Sequence, residues 1–363
     1  MFPISISQLK SINLFKLFKL ILWYFLRSFQ LKNDNTFQSV LIIGDKLESI
    51  TLKLPKVSKP NNSTLIIFED FEFKYLFKFF RYVKNMRILD KNYLLTTEAS
   101  TRFRLNYFDI CNTNQKANYR KLSINNYENL SNNFMDNEIA LLGTGPSFEK
   151  GKQIFKKKKI TIMTCNSAIY DDDIWENNHV IFTFADPVFH FGKSQEAQRF
   201  KNEVINKFKK YKFYIVVPLP AFPTIHEEWG IDKNFVIGIN SRDGKLKYPL
   251  LDKNLTSLRT SNVLTEFMLP FSSTISKKIE LAGFDGRKKE EQNFWQYSET
   301  TNQTLEGHQK QHPSFFQDRN INNYYKKHLK IFKKQIDLLE QENYVILNNS
   351  ISNIKFLNKR IYE

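Results

Sequence analysis

The chain has 363 residues, and 41% of them are hydrophobic, which is enough apolar material for one large domain or two modest ones and excludes a disordered tail. Lys and Arg number 54 against 37 Asp and Glu, and this net charge of +17 suits an anionic partner such as a lipid headgroup, a nucleic acid or a charged glycan. Cys111 and Cys165 are far apart in the sequence, so neither a disulfide framework nor a structural zinc site is indicated, and a reducing compartment is expected.

The first predicted element is a basic, amphipathic helix over residues 14–29, inside an N-terminal segment of residues 1–33. Its uninterrupted apolar core, 20–26, is too short to cross a bilayer. The basic residues share a narrow sector of the helix and no acidic residue precedes Asp34, which favours an anionic membrane surface against residues 10–32. A helix packed on its own domain fits the same pattern. No small-residue cleavage site follows, which argues against a secretory signal.

Residues 34–135 are predicted to form an α/β extension. The apolar runs at 39–44 and 64–68 are typical of short buried strands. From Asn112 to Asn137 the chain becomes polar and rich in Asn, which predicts a linker and a domain boundary near residue 135.

Residues 136–363 alternate between strand-like and helix-length segments. This order predicts an α/β, Rossmann-like domain, with a largely parallel sheet and helices on both faces. The predicted strands are 139–142, 161–164, 180–184, 213–217, 278–282 and 344–347, and a lysine-rich helix is predicted at about 324–342.

The apolar run at 139–142 ends in a glycine-rich turn, Gly143-Thr144-Gly145-Pro146-Ser147. A buried strand that enters such a turn leaves backbone N–H groups directed outward at a helix N-terminus, where a phosphate can bind. The turn therefore predicts a nucleotide or another phosphorylated ligand. The alternative is that the two glycines serve only the steric needs of a tight turn.

Polar residues also follow the other predicted strands, at the edge where parallel sheets bind ligands. Candidates at this edge are Asn166, Ser167, Asp186 and Asp285. The acidic run 171–173 could hold Mg²⁺ or Mn²⁺ through Asp171 and Asp173, but it does not follow its strand directly and fits the first turn of a helix, so no metal is expected there.

Several weak motifs in this part of the chain keep a characteristic order and spacing over residues 138–350. Taken together they resemble those of the bacterial lipooligosaccharide sialyltransferases, and of related Rossmann-like domains in flagellin-glycosylation proteins. The motifs are Gly143 to Ser147, Thr164-Cys165-Asn166, Phe184-Ala185-Asp186-Pro187, Arg259-Thr260-Ser261, Ile279 to Asp285, and His308 and His312.

The resemblance implies an inverting, metal-independent glycosyltransferase with a single nucleotide-binding domain of a GT-A-like variant. It implies transfer of sialic acid or a related sugar from a CMP-activated donor, which is a co-substrate and not a cofactor, with His312 or His308 as general base. A base of this kind suits histidine, whose pKa lies near the working pH. The implied donor-binding residues are Gly143, Thr144, Gly145, Pro146, Ser147, Asn166, Ser167, Asp186, Arg259, Thr260, Ser261, Asp285 and Tyr297.

The chain departs from the family pattern at Thr144 and Asp186, where the family has Asn, and it lacks the family's paired tyrosines after Gly283. These departures leave the donor sugar open. The expected acceptor is a glycan or glycolipid at the cytoplasmic face of a bacterial inner membrane, with no nucleic acid as partner. The alternatives are a nucleotide-dependent pyrophosphate-transferring enzyme, a metal-dependent UDP-sugar glycosyltransferase, and a non-catalytic module that binds a membrane or nucleic acid.

Overall fold

A computed structural model of the protein describes residues 39–43, 50–53, 64–68, 113–134, 138–176, 179–192, 195–287 and 320–361. The chain divides into two compact units, Met1–Asn118 and Tyr119–Glu363.

The first unit contains a three-stranded sheet with the order β2-β1-β3. Its strands are β1 (Ser39–Ile43), β2 (Ile50–Lys53) and β3 (Thr64–Phe68). β2 runs antiparallel to β1, whereas β3 runs parallel to it. The two strands predicted from apolar runs are confirmed. β2 was not among the predictions because its alternation of apolar and polar residues lasts only four positions.

The second unit is built on an eight-stranded sheet with the order β11-β10-β4-β5-β6-β7-β8-β9. Every neighbouring pair is parallel, which confirms the predicted α/β, Rossmann-like fold. The strands are β4 (Glu138–Leu142), β5 (Thr161–Cys165), β6 (Val180–Thr183), β7 (Tyr214–Pro218), β8 (Val236–Arg242), β9 (Thr256–Leu258), β10 (Lys278–Ala282) and β11 (Val345–Asn348).

Helices connect these strands in the described part of the chain. They are α1 (Thr113–Asn132), α2 (Phe148–Lys158), α3 (Asp173–Glu176), α4 (Pro187–Phe191), α5 (Gln195–Tyr211), α6 (Leu269–Ile275) and α7 (Ile321–Gln341). A π-helical turn, Leu264–Met268, continues directly into α6, and short 3₁₀ turns include Asn166–Tyr170 after β5.

Successive residues of a strand point to opposite sides of the sheet, so apolar strand residues pack against a layer on each face. On one side Ile139 and Leu141 of β4 join a buried cluster with Phe271 of α6 and Phe332 of α7. On the other side α2 packs directly on β4 and β10. Gly151 makes this approach possible, since a Cβ at that position would overlap the Ala282 methyl group.

The segment predicted as a linker, 112–137, instead contains α1. This helix packs on the unit through Ile124, Tyr127 and Leu130, and it is also held by hydrogen bonds. Ser123 Oγ accepts from the Gly238 N–H (2.9 Å), and Asn126 Nδ2 donates to the carbonyl oxygens of Lys233 (2.7 Å) and Val236 (2.8 Å). This polar stretch is therefore in part a helix whose polar side chains bind β8 and the turn before it. The second compact unit begins inside this helix, at Tyr119.

Candidate functional site

The order of the strands marks one place at the carboxyl edge of the sheet. From β4 the chain adds β5 to β9 on one side, and it then returns to the other side of β4 with β10 and β11. In open parallel sheets, ligands bind where the strand order reverses in this way. The candidate site therefore lies where the β4 turn (residues 143–147) and the β10 turn (residues 283–287) meet.

The two turns are hydrogen-bonded to each other through their backbones. The N–H of Gly143 donates to the Ala282 carbonyl (2.8 Å), and the N–H of Gly145 donates to the Gly283 carbonyl (3.0 Å). Only glycine fits here, because a Cβ at Gly143 would lie 2.5 Å from the Gly283 oxygen and Gly283 itself has φ +76°. The glycines thus have the steric role that the sequence left as an alternative, and they bring the two turns into contact.

Ser147 and Asp285 add a reciprocal link at the N-terminus of α2. The Ser147 N–H donates to Asp285 Oδ2 (3.0 Å), and Ser147 Oγ accepts from the Gly283 N–H (3.1 Å). Asp285 is only 8% exposed, so its carboxylate is a buried anion at a helix N-terminus, where the helix dipole favours negative charge. A ligand phosphate at the Ser147 amide would have to displace this carboxylate.

The other two residues of the β4 turn are Thr144 and Pro146. Thr144 is half-buried and Pro146 is exposed. On the neighbouring strand β5, Asn166 and Ser167 begin the 3₁₀ turn, and Asn166 has φ +50°. Both are half-buried at the carboxyl edge, beside the β4 turn in strand order.

Asp186, two strands from β4, has a local structural role. Its Oδ1 accepts from the Phe189 N–H (2.9 Å), and its carbonyl accepts from the His190 N–H (3.2 Å), which is the geometry of an N-cap on α4. The half-buried carboxylate stays at the carboxyl edge, where it was predicted.

Arg259 follows β9, at the far end of the sheet. Five strand spacings separate β9 from β4, or about 24 Å, so strand order does not place Arg259 beside the β4 turn. Its side chain is 55% exposed; Nη1 lies 3.8 Å from a carboxylate oxygen of Asp243, and Nη2 donates to the Ser241 carbonyl (3.4 Å).

Glu266 holds the loop that contains Thr260 and Ser261. It is 6% exposed and accepts three hydrogen bonds, from Ser241 Oγ (2.5 Å) and from the N–H groups of Thr260 and Ser261 (2.8 Å each). Ser261 has φ +58°, a left-handed conformation that these bonds stabilise. The backbone amides of these two residues, which were predicted to bind the donor, are thus bound to a carboxylate of the protein.

The N-terminus of α7 joins this loop to the β10 turn. Tyr324 Oη donates to the Ser261 carbonyl (2.8 Å), and Tyr325 Oη accepts from the Arg287 N–H (2.9 Å). Two adjacent tyrosines therefore hold the segments that follow β9 and β10. Arg287 is 9% exposed.

Sequence reasoning missed Glu266, Arg287, Tyr324 and Tyr325 as parts of this edge. Glu266 and the two tyrosines lie inside helical segments, at positions that sequence alone does not distinguish from ordinary helix residues. Arg287 lies in the β10 turn, where the sialyltransferase motifs have paired tyrosines, and the comparison with those motifs gave the arginine no role.

The acidic run after β5 is bound to lysines. Lys152 Nζ lies 2.7 Å from Asp171, 3.3 Å from Asp173 and 2.8 Å from Glu149, and Lys207 pairs with Asp172. Burial disfavours the charged form of Lys152, but its hydrogen bonds to Asp171 and Glu149 outweigh this and raise its pKa. An ammonium group therefore occupies the position between carboxylates that a metal ion would take.

His308, His312 and Tyr297 lie outside the described residues, as do the predicted helix 14–29 and the membrane surface 10–32. The described chain leaves the β10 turn at Arg287 and resumes at Asn320, the N-cap of α7. The Arg287–Asn322 and Arg287–Tyr325 hydrogen bonds hold these two points together at the carboxyl edge.

The chain matches no family model, no curated protein and no solved structure. Within the described residues, no helix is long and apolar enough to span a bilayer.

Proposed function

We propose that this protein is an inverting glycosyltransferase, which moves sialic acid or a related sugar from a CMP-activated donor to a glycan or glycolipid acceptor. The resemblance in sequence suggests the donor class, and the geometry at the reversal between β4 and β10 supports a nucleotide at this edge. The observation that carries the proposal is the contact between the β4 and β10 turns, which puts a buried carboxylate next to glycines at the place where parallel sheets bind nucleotides.

The β4 and β10 turns suggest how the nucleotide sits. Asp285 uses Oδ2 for the Ser147 amide, and its other oxygen can accept hydrogen bonds from hydroxyl groups such as those of a ribose. Thr144 in the β4 turn and Asn166 after the neighbouring strand β5 add neutral polar side chains to this edge of the sheet. The proposed donor therefore places its ribose, and not its phosphate, against the junction of the two turns.

The proposed base is His312, with His308 as the second candidate. Inverting transfer needs a base that removes the proton of the acceptor hydroxyl while its oxygen bonds to the sugar and the nucleoside monophosphate leaves. Both histidines belong to the segment whose two ends are fixed at the carboxyl edge by α7 and the β10 turn, and this supports a base supplied from there.

The proposed enzyme works without a metal ion. A nucleoside monophosphate leaving group can be stabilised by hydrogen-bond donors and positive charge from the protein. The lysines around the acidic run support this proposal over a metal-dependent UDP-sugar transferase, because Lys152 and Lys207 neutralise the carboxylates that would have to hold Mn²⁺. The net charge of +17 suits an acceptor among anionic lipids at the inner face of the membrane.

Calorimetric titration with CMP, UDP and GDP, each with and without EDTA, tests the proposal. We expect CMP to bind with equal affinity in both conditions. Binding of UDP alone, and only with Mn²⁺, would favour the metal-dependent alternative. Turnover of a nucleoside triphosphate with Mg²⁺ would favour pyrophosphate transfer, and loss of all binding with salt would favour a non-catalytic module.

Substitution of the two histidines tests the base. His312→Ala and His308→Ala are assayed for sugar transfer, and their affinity for CMP is measured separately. The variant that lacks the base should lose turnover by about 100-fold or more and retain CMP binding. If neither variant slows transfer, the assignment of a histidine base is wrong.

A further inference from the structure

Arg287 is a buried cation whose described partners are all neutral. Its Nη2 donates to Asn322 Oδ1, and its guanidinium carbon lies 5.9 Å from the centre of the Tyr325 ring. The backbone N–H of Arg287 donates to Tyr325 Oη. With 9% of its surface exposed, the side chain is fixed in direction by an amide and an aromatic face.

Other buried cations of this unit have carboxylate partners. Lys152 and Lys207 pair with the acidic run, and the half-buried Lys158 likewise binds both oxygens of the buried Glu280 (2.6 and 2.7 Å). No carboxylate of the described residues lies within ion-pair distance of Arg287. Burying a charge without a counter-charge costs free energy, so a bound anion would stabilise the guanidinium of Arg287.

The surroundings of Arg287 increase the positive potential. α7 begins next to it with Asn320 as N-cap, and the first turn of this 21-residue helix contains no acidic residue. The positive end of the helix dipole is therefore not neutralised by a side chain of that turn. This differs from the N-terminus of α2, where the Asp285 carboxylate already occupies the anion position.

We propose that Arg287 is the receptor for the phosphate of the bound nucleotide. The identity of the ligand rests on the proposed function, whereas the need for an oxyanion rests on the geometry alone. A guanidinium can bind a phosphate with two parallel hydrogen bonds. Arg287 is two residues from Asp285 in the β10 turn, so at most about 7 Å of chain separates the two positions. One nucleoside monophosphate can contact the carboxylate with its ribose and the guanidinium with its phosphate.

Calorimetric titration with CMP and with cytidine, which lacks the phosphate, tests this proposal on four proteins: the wild type, Arg287→Met, Arg287→Lys and Arg360→Met. Arg360 is the matched control, because its partner Glu340 is 15 residues from Tyr325 on α7, or about 22 Å. We expect R287M to weaken CMP binding by about 10- to 100-fold and to change cytidine binding by less than about twofold. R287K should lie between R287M and the wild type, and R360M should match the wild type.

Two results would overturn the role of Arg287: unchanged CMP affinity in R287M, or an equal loss of CMP and cytidine affinity, which would indicate a purely structural residue. Titration with inorganic phosphate separates this inference from the proposed function. If the wild type binds phosphate but not CMP, UDP or GDP, and R287M loses the phosphate, the anion site stands and the proposed donor is wrong. If CMP binds and R287M leaves its affinity intact, the proposed donor stands and the anion site is wrong.

Discussion

Replacing Gly145 with alanine should separate the β4 turn from the β10 turn. The new Cβ would overlap Asp285 Oδ2 and would lie 2.7 Å from the Gly283 oxygen, inside any ordinary van der Waals contact. Two hydrogen bonds are at risk, one from the Gly145 N–H to the Gly283 carbonyl and one from the Ser147 N–H to the Asp285 carboxylate. A neutral bond contributes about 0.5–1.5 kcal/mol and a charge-assisted bond about 1.5–3 kcal/mol. We expect the free energy of unfolding to fall by about 2–4 kcal/mol.

Thermal or urea unfolding measures this loss, which corresponds to a fall in Tm of roughly 4–16 °C for a unit of this size. Gly230→Ala is the comparison, because its Cβ would meet no heavy atom within 4 Å but its φ is +69°, and this strain costs about 1–2 kcal/mol. In an Asp285→Ala background, G145A should cost about 1.5–3 kcal/mol less than it does alone, since the charged bond is already absent. Equal costs in the two backgrounds would refute the proposed clash with Asp285.

Three further predictions concern other parts of the second unit. Glu266→Ala leaves the N–H groups of Thr260 and Ser261 without their acceptor and should lower the free energy of unfolding by roughly 3–6 kcal/mol, whereas the exposed Glu228→Ala should cost less than about 1 kcal/mol. Equal urea midpoints would contradict this. Burial lowers the pKa of His328 to about 4, so below about pH 6.5 the unfolded chain binds a proton that the folded chain does not bind. The free energy of unfolding should therefore fall as the pH is lowered from 6.5 to 4. His328→Phe, which keeps the stacking contact with Phe332, should make the free energy of unfolding depend less on pH in this range. Lys152→Met leaves the carboxylates of Glu149, Asp171 and Asp173 close together without their shared cation. Millimolar Ca²⁺ should therefore raise the Tm of this variant more than that of the wild type. An equal rise in both proteins would show that the lysine does not occupy a cation position.

The sheet could be predicted wherever the strands are continuous apolar runs. The prediction of strands before Gly143 and before Gly283 is confirmed, because buried parallel strands need apolar residues on both faces. β8 was missed for the opposite reason. It carries Gly238 in its apolar half and continues into polar residues, and the glycine is needed because a Cβ there would lie 2.6 Å from Leu219 Cδ1 and 3.0 Å from Ser123 Oγ.

α1 could not be predicted from hydrophobic periodicity. Its contacts with the rest of the unit run through Ser123 and Asn126 and through a few scattered apolar side chains such as Ile124 and Leu130, while most of its residues have the composition of a loop. A hydrogen bond between a side chain and a distant backbone carbonyl has no sequence periodicity, so only the folded chain shows that this stretch packs on β8.

The β4 turn shows how an amide at a helix N-terminus can be bound by the protein itself. The sequence identifies a helix N-terminus with unpaired N–H groups, and such groups attract an anion of any origin. In the folded chain that anion is Asp285, which is 138 residues after Ser147 in sequence and lies in the turn that follows β10, the strand next to β4 in the sheet. The same turn then presents a carboxylate, which favours ligand hydroxyl groups over phosphate. A phosphate needs a cation without a carboxylate partner, and of the described residues at this junction Arg287 is the one that meets this need. The nucleotide would thus lie across the β10 turn, with its ribose and its phosphate bound two residues apart.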